Sequence, residues 1–117
     1  MARVRVARSA RGDIANILDA SADRWGPEGR RRYRALIAAA IRLVARNPKG
    51  ATTRRRTDLA SGLRSFHIRH AGGETSGARV QNPVHVLYYR SIDPDLIEIV
   101  RVLHERMEPS RHVGEQP

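Results

Sequence analysis

Residues 97–107, "IEIVRVLHERM", alternate as a strand does and then deliver His104 into Glu105, Arg106 and Met107. An imidazole titrates near neutral pH, so a histidine at a strand tip beside a carboxylate and a guanidinium has the make-up of a proton-transfer group. The same residue types also build a recognition surface with no chemistry. Histidine at a strand end commonly makes a structural hydrogen bond to a loop, and we favour that role for His104. Its neighbours Arg101, Arg106 and Met107 then offer a contact surface.

His67 and His70 are three residues apart. On a helix that spacing could chelate a metal, but "LRSFHIRH" (63–70) alternates as a strand, which sends the two rings to opposite faces. No metal site and no cofactor are expected. Arg30, Arg31, Arg32 and Arg34 crowd the start of a helix, where the positive end of the dipole disfavours cations, so a solvated face is the reading there. Arg54, Arg55 and Arg56 lie in a connector and are better placed to steer an anionic partner. Aromatic residues are few and none interleaves with these clusters, which argues against a platform for stacking single-stranded bases.

The balance of charge agrees with an anionic partner. The chain has 117 residues, a formal charge of +10 and a single lysine, Lys49. Arginine pairs in a fork with phosphates and carboxylates, although a GC-rich coding sequence would also drift from lysine to arginine. There is no cysteine, which removes disulfides, thiolate nucleophiles and cysteine-bound zinc. Arg3, Arg5, Arg8 and Arg11 leave no apolar signal region. The longest apolar run, "ALIAAAI" (35–41), is far below the roughly 18 residues that span a bilayer. A soluble cytoplasmic protein with no membrane partner is expected.

The elements that must position these groups follow from periodicity. "ARVRVAR" (2–8) reads as a strand with Val4 and Val6 inward, and Ser9 as the N-cap of a first helix with Asp13 just beyond it. Ile14, Ile17, Leu18 and Trp25 share a helical face. Gly26 and Pro27 suit the end of that helix and the start of the next. Tyr33, Leu36, Ile37, Ala40, Ile41 and Val44 form an amphipathic stripe, and Asn47-Pro48 stops it. After a basic connector (49–62) come three strands, 63–70, 84–91 and 96–104. In the last, Ile97, Ile99, Arg101 and Leu103 oppose Glu98, Val100, Val102 and His104. The polar stretch 71–83 reads as a mobile loop or long hairpin connection. The order predicts an α+β fold in one domain, 1–108: an N-terminal strand, a helical hairpin and three further strands in a small, mostly antiparallel sheet. Residues 109–117 form a tail with room for one short helical turn.

"ADRWG" (22–26), "ARNP" (45–48), "GLRSFHIRH" (62–70), "PVHVLYYR" (83–90), "IEIVRVLHERM" (97–107) and "SRH" (110–112) occur in this order along nearly the whole chain. Together they resemble the RelE/ParE superfamily of toxins from bacterial type II toxin–antitoxin modules, on the ParE branch. The loop at 71–83 departs from the more compact hairpin of many members. The resemblance implies a toxin that inhibits DNA gyrase and is neutralised by a cognate ParD-like antitoxin in a hetero-oligomeric complex.

Its other branch implies an alternative, a ribosome-dependent mRNA endoribonuclease. Such an enzyme needs groups to activate a 2′-hydroxyl, stabilise a phosphorane and protonate the leaving oxygen. Arg64, Glu98 and His104, with His67 and Arg69, are the residues that could be assembled for that work. Lysine is nearly absent and no tyrosine follows position 89, so no catalytic set is favoured. The contact candidates for target or antitoxin are Arg54, Arg55, Arg56, Arg69, Arg101, His104, Arg106 and Met107. A two-layer domain covers one sheet face with its own helices. The apolar residues on the other face predict either a groove for a partner or cover by the C-terminal tail.

Overall fold

The computed structural model describes residues 1–75 and 79–113. Strand β1 (Arg3–Val6) leads into a helical segment, Arg8–Arg46. Four strands follow: β2 (Arg54–Arg55), β3 (Leu63–His67), β4 (His85–Asp93) and β5 (Leu96–His104). Short 3-10 turns cover Ile68–Glu74 and Pro109–Arg111. The sheet order is β1-β5-β4-β3-β2, antiparallel except where β1 lies parallel to β5. The expected α+β architecture is present, with one strand more than periodicity showed. Arg54 and Arg55 pair with Ser65 and Arg64, and two residues are too short a run to reveal a period.

The helical segment breaks at Gly26 into two arms, α1 (8–25) and α2 (27–46). Gly26 has φ +75° and ψ −175°, a backbone region open essentially to glycine alone. Pro27 then starts α2 with its φ already set. Gly29 allows a close approach, because a Cβ there would stand 2.2 Å from the Trp25 Cβ. Trp25 itself is 66% exposed, with the Arg24 guanidinium 5.2 Å from its ring centroid. It does not join Leu18 on the core face as its spacing predicts, because the break falls one residue later and the core-facing register ends there.

The start of α1 also differs from expectation. Ala7 occupies the N-cap without a side-chain cap. Its amide bonds to the Ile99 carbonyl, while its own carbonyl accepts the Arg11 amide. The last rung of the β1–β5 ladder therefore becomes the first turn of the helix, and Ser9 is already inside it. Val6 packs against the core, whereas Val4 stays exposed.

The main core lies between the helices and one sheet face. Tyr33, Leu36, Ile37, Ala40 and Val44 are buried as the stripe predicts, joined by Ala39 and Ala45, with Ile41 half-buried. Phe66, Leu87, Tyr89, Ile97, Ile99 and Val102 oppose them. Strand β5 changes face partway along. Tyr88 pairs with Arg101 and Tyr89 with Ile99, which leaves Val100 as the extra residue of a bulge. Before the bulge the odd residues Ile97 and Ile99 face the helices; after it Val102 does, while Val100 and Leu103 join Leu63, Tyr88 and Val113 on the far side. The strict alternation expected for 97–104 fails at this one residue.

That far cluster settles the expected groove. Leu59 and Ala60 of the connector, and Val113 of the tail, pack over it, and Val113 is 1% exposed. Among the described residues the far-face apolar groups are thus covered by the chain itself. Strand β3 stops at His67, three residues earlier than periodicity predicts, because its ring Nδ1 accepts the Arg69 amide at 3.1 Å and caps the 3-10 turn. The strand argument for His67 and His70 therefore does not apply to His70. That turn fills the start of the expected 71–83 loop; residues 76–78 of the loop and 114–117 of the tail lie outside the described residues.

Candidate functional site, a basic recess on the open sheet face

Residues of β3 that point away from the helices are Leu63, Ser65 and His67, opposite Arg90, Tyr88 and Val86 of β4. Arg54 of β2 stands beside Ser65. These rows floor a recess of about 270 Å³ whose wall is completed by Thr52, Arg56, Arg69, His70 and Glu105. Three arginines and two histidines thus meet one carboxylate, drawn from three separate stretches of chain. The strand pairing, and the sharp turn at His67, bring them together.

Each group has an identifiable state. Arg56 holds Asp58 through two hydrogen bonds, at 3.1 and 3.0 Å, and its guanidinium lies 5.9 Å from the Tyr88 ring centroid. His67 Nε2 meets Glu105 Oε1 at 2.7 Å. Because Nδ1 of His67 accepts a backbone N–H, the proton belongs on Nε2, which donates to Glu105. That bond is the main cause holding the Glu105 carboxyl below its usual range. Partial burial pushes the His70 pKa down, and the nearby guanidiniums of Arg69 and Arg54 push it further. Burial raises the Tyr88 hydroxyl pKa. Arg54 and Arg69 form no carboxylate pair among the described residues.

The expected contact residues are not all alike. Arg54, Arg56 and Arg69 line the recess, while Arg55 is in register with Arg64, facing the other way. Arg101 is engaged by Asp13 through two bonds of 2.8 Å and donates to the His112 carbonyl at 3.2 Å. Arg106 and Met107 are exposed on the turn after β5. His104 Nδ1 accepts the Arg106 amide at 3.0 Å, closing that turn, and its ring packs edge-on against His85.

Of the residues weighed for RNA cleavage, His67 and Arg69 share the recess, but Arg64, Glu98 and His104 do not converge on it or on one another. Arg64 lies on the helix-covered side, opposite the fully buried Tyr89, and donates to Thr53 Oγ1 at 2.8 Å. Glu98 is on the other face, held by Arg5 at 3.0 Å and by Arg90 at 3.2 and 3.0 Å. His104 is six residues further along β5, roughly 20 Å at the rise of an extended strand. The pair that does form, His67 with Glu105, carried no signal in sequence because the partners are 38 residues apart. Asp13 was equally hidden as a partner of Arg101.

Comparison with known proteins follows the same outline. Residues 4–109 match the family model described as the ParE toxin of the type II toxin–antitoxin system parDE. This chain belongs to the ParE toxin family. A relative named Toxin ParE1, from Caulobacter vibrioides, is 31% identical over 110 residues, spanning 94% of this chain and 96% of its own length. A protein of the same name from Mycobacterium tuberculosis is 28% identical over 111 residues, covering 95% of this chain and 97% of its own. A solved structure described as a chromosomal ParDE system from P. aeruginosa superposes with a TM-score of 0.61. It is 17% identical and covers 89% of this chain and 96% of that one, so it shows the shared fold. The expected ParE branch is thereby established, and the chain is a toxin of the ParDE type. No helix among the described residues is long and apolar enough to cross a membrane.

Proposed function

We propose that this ParE-family toxin inhibits DNA gyrase by binding it, and that a ParD-like antitoxin holds it inactive in a hetero-oligomeric complex. The observation that carries the reading is the family match across residues 4–109. The scattering of Arg64, Glu98 and His104 supports it. A protein that works by contact needs an exposed surface rather than a converged acid, base and guanidinium, and exposed Arg54, Arg55, Arg69, Arg106 and Met107 supply one. The formal charge of +10 favours encounter with an acidic antitoxin segment or a DNA-loaded enzyme. Expression in the source organism, with and without the neighbouring antitoxin gene, tests the module: growth stops with the toxin alone and resumes when the antitoxin is supplied. Growth that is indifferent to both genes contradicts it.

One observation favours a second reading, a ribosome-dependent endoribonuclease. His67 and Glu105 stand 2.7 Å apart among guanidiniums, which supplies a proton-transfer pair and phosphorane stabilisers. Primer extension on translated messages distinguishes the two: discrete cuts that vanish in His67→Ala select the nuclease.

A further inference from the structure

We propose that the recess lined by Arg54, Ser65, His67, Arg69, His70 and Tyr88 is a phosphodiester site that takes the backbone of the DNA on which gyrase acts. The inference rests on the gyrase reading for the identity of that DNA. The chemistry of the site stands on its own geometry.

The first argument is the availability of donors. Outside the recess six guanidiniums are held by carboxylates: Arg101 by Asp13, Arg5 and Arg90 by Glu98, Arg31 and Arg32 by Glu28, Arg46 by Glu74. Others, such as Arg30 and Arg34, are scattered over the surface, whereas Arg54 and Arg69 converge on one recess. In the recess only Arg56 is so engaged, by Asp58. Arg54 and Arg69 reach it from opposite sides, one from β2 and one from the 3-10 turn, without a carboxylate between them among the described residues. Glu105 is the one carboxylate of the lining, and it is hydrogen-bonded by His67 rather than by either arginine.

The second argument is the field. Three guanidiniums, Arg54, Arg56 and Arg69, line the recess against the single carboxylate Glu105, and the His70 pKa, lowered first by burial, is lowered further by Arg69 and Arg54, so the local balance of charge is positive. The neutral donors Thr52, Ser65 and Tyr88 complete the lining. A planar carboxylate is matched by a single guanidinium fork. A tetrahedral phosphate presents oxygens in several directions, which suits donors spread over β2, β3 and the turn after it.

The third argument selects duplex DNA over unstacked RNA. Single-stranded RNA is gripped by exposed aromatic faces. The one phenol ring of the lining, Tyr88, is 5% exposed, and Phe66 faces the helix-side core. A duplex backbone requires phosphate donors alone.

Fluorescence anisotropy of a short labelled duplex with the purified toxin, read across a salt series, tests the site. Arg54→Ala combined with Arg69→Ala lowers the slope of log affinity against log salt by about two and weakens binding about tenfold or more at low salt. The charge-matched control, Arg30→Ala with Arg34→Ala on α2, removes the same formal charge and leaves most of the affinity and slope intact. Arg54, Arg69 and Arg34 are exposed and Arg30 is half-buried, and thermal melts verify that both variants fold. Equal losses in the two pairs overturn the inference, because binding is then a matter of net charge. Tighter binding of single-stranded RNA of the same sequence overturns the assignment to DNA, and stoichiometric displacement of the duplex by a glutamate-rich peptide overturns the assignment to phosphate. The assay contains no gyrase, so the two readings fail separately. Recess-dependent DNA binding without gyrase inhibition removes the target and keeps the site. Gyrase inhibition that survives in Arg54→Ala/Arg69→Ala overturns the role of the recess and keeps the target.

Discussion

Asp13 of α1 and Arg101 of β5 are 88 residues apart in sequence and meet through two parallel hydrogen bonds of 2.8 Å. The same carboxylate accepts the Val102 amide at 2.9 Å. Strand β1 ends at Val6, opposite Ile99, so beyond that point β5 has no neighbour on this side. Asp13 takes the place of the missing strand. It satisfies the free amide, neutralises the arginine that the bulge at Val100 turns outward, and ties the first helix to the sheet. The pair is about four-fifths buried, where loss of one partner strands the other. Asp13→Asn therefore costs about 2–3 kcal/mol, less than a fully buried pair. A double-mutant cycle with Arg101→Gln in urea melts returns a coupling of at least about 1 kcal/mol. Additive losses would mean that the two groups are neighbours without being partners.

The hairpin is specified by one backbone conformation. The space around Gly26 is open, and a Cβ there would meet nothing within 4 Å, yet its φ of +75° excludes side chains. Gly26→Ala therefore destabilises through the backbone alone, by about 1–3 kcal/mol. Chemical denaturation measures it, and an unchanged midpoint would show that the two arms can meet at another angle.

Acid and base sensitivity have a traceable source in Tyr33 and His85. The Tyr33 hydroxyl donates to His85 Nδ1 and accepts the Val84 amide at 3.2 Å. Burial, aided by His104 and His67, drives the His85 pKa down to about 4. The folded protein holds this ring neutral while the unfolded chain takes up a proton below about pH 6.5. Stability from this group is complete above that pH and is lost as pH falls toward 4. Partial exposure reduces the effect to about 1–2 kcal/mol between pH 7 and pH 5. Burial raises Tyr33 to about 12, so its contribution is lost as pH rises from about 10 toward 12. Melting temperatures across pH for the native chain and His85→Gln, whose amide oxygen can accept from Tyr33, isolate the acid limb. Parallel curves would assign acid sensitivity to other groups.

The tail belongs to the second core. Val113 is buried with Val100 and Leu103, and the preceding His112 carbonyl accepts from Arg101. Val113→Ala removes about 1.5 kcal/mol at roughly 0.8 kcal/mol per buried methylene, and amide exchange of Leu103 and Val102 quickens with it. An effect below about 0.5 kcal/mol would mean the tail is only laid against the sheet.

Long periodic elements were legible in the sequence. The stripe from Tyr33 to Val44 declared α2, and the limits of β5 at 96 and 104 followed from its alternation. Gly26-Pro27 marked the break between the helical arms. What escaped was decided by tertiary pairing. The bulge at Val100 exists because β4 and β5 slip by one residue, and strand β2 exists because Arg54 and Arg55 find β3. His67 ends its strand through a side-chain bond to the next turn, a local event that alternation cannot register. The candidate site was half visible: its arginines stood out by density, but the row joining Arg54 to Ser65 and Tyr88, and the bond from His67 to Glu105, are products of the sheet register.

The claim on which the account depends is that this toxin acts by contact with gyrase. The direct measurement is a supercoiling and cleavage assay with gyrase from the same organism, at micromolar toxin, run with and without the cognate antitoxin. The account predicts lost supercoiling with accumulation of cleaved plasmid, both reversed by the antitoxin. Unaltered supercoiling with no cleaved DNA, alongside discrete cuts in translated messenger RNA, would contradict it.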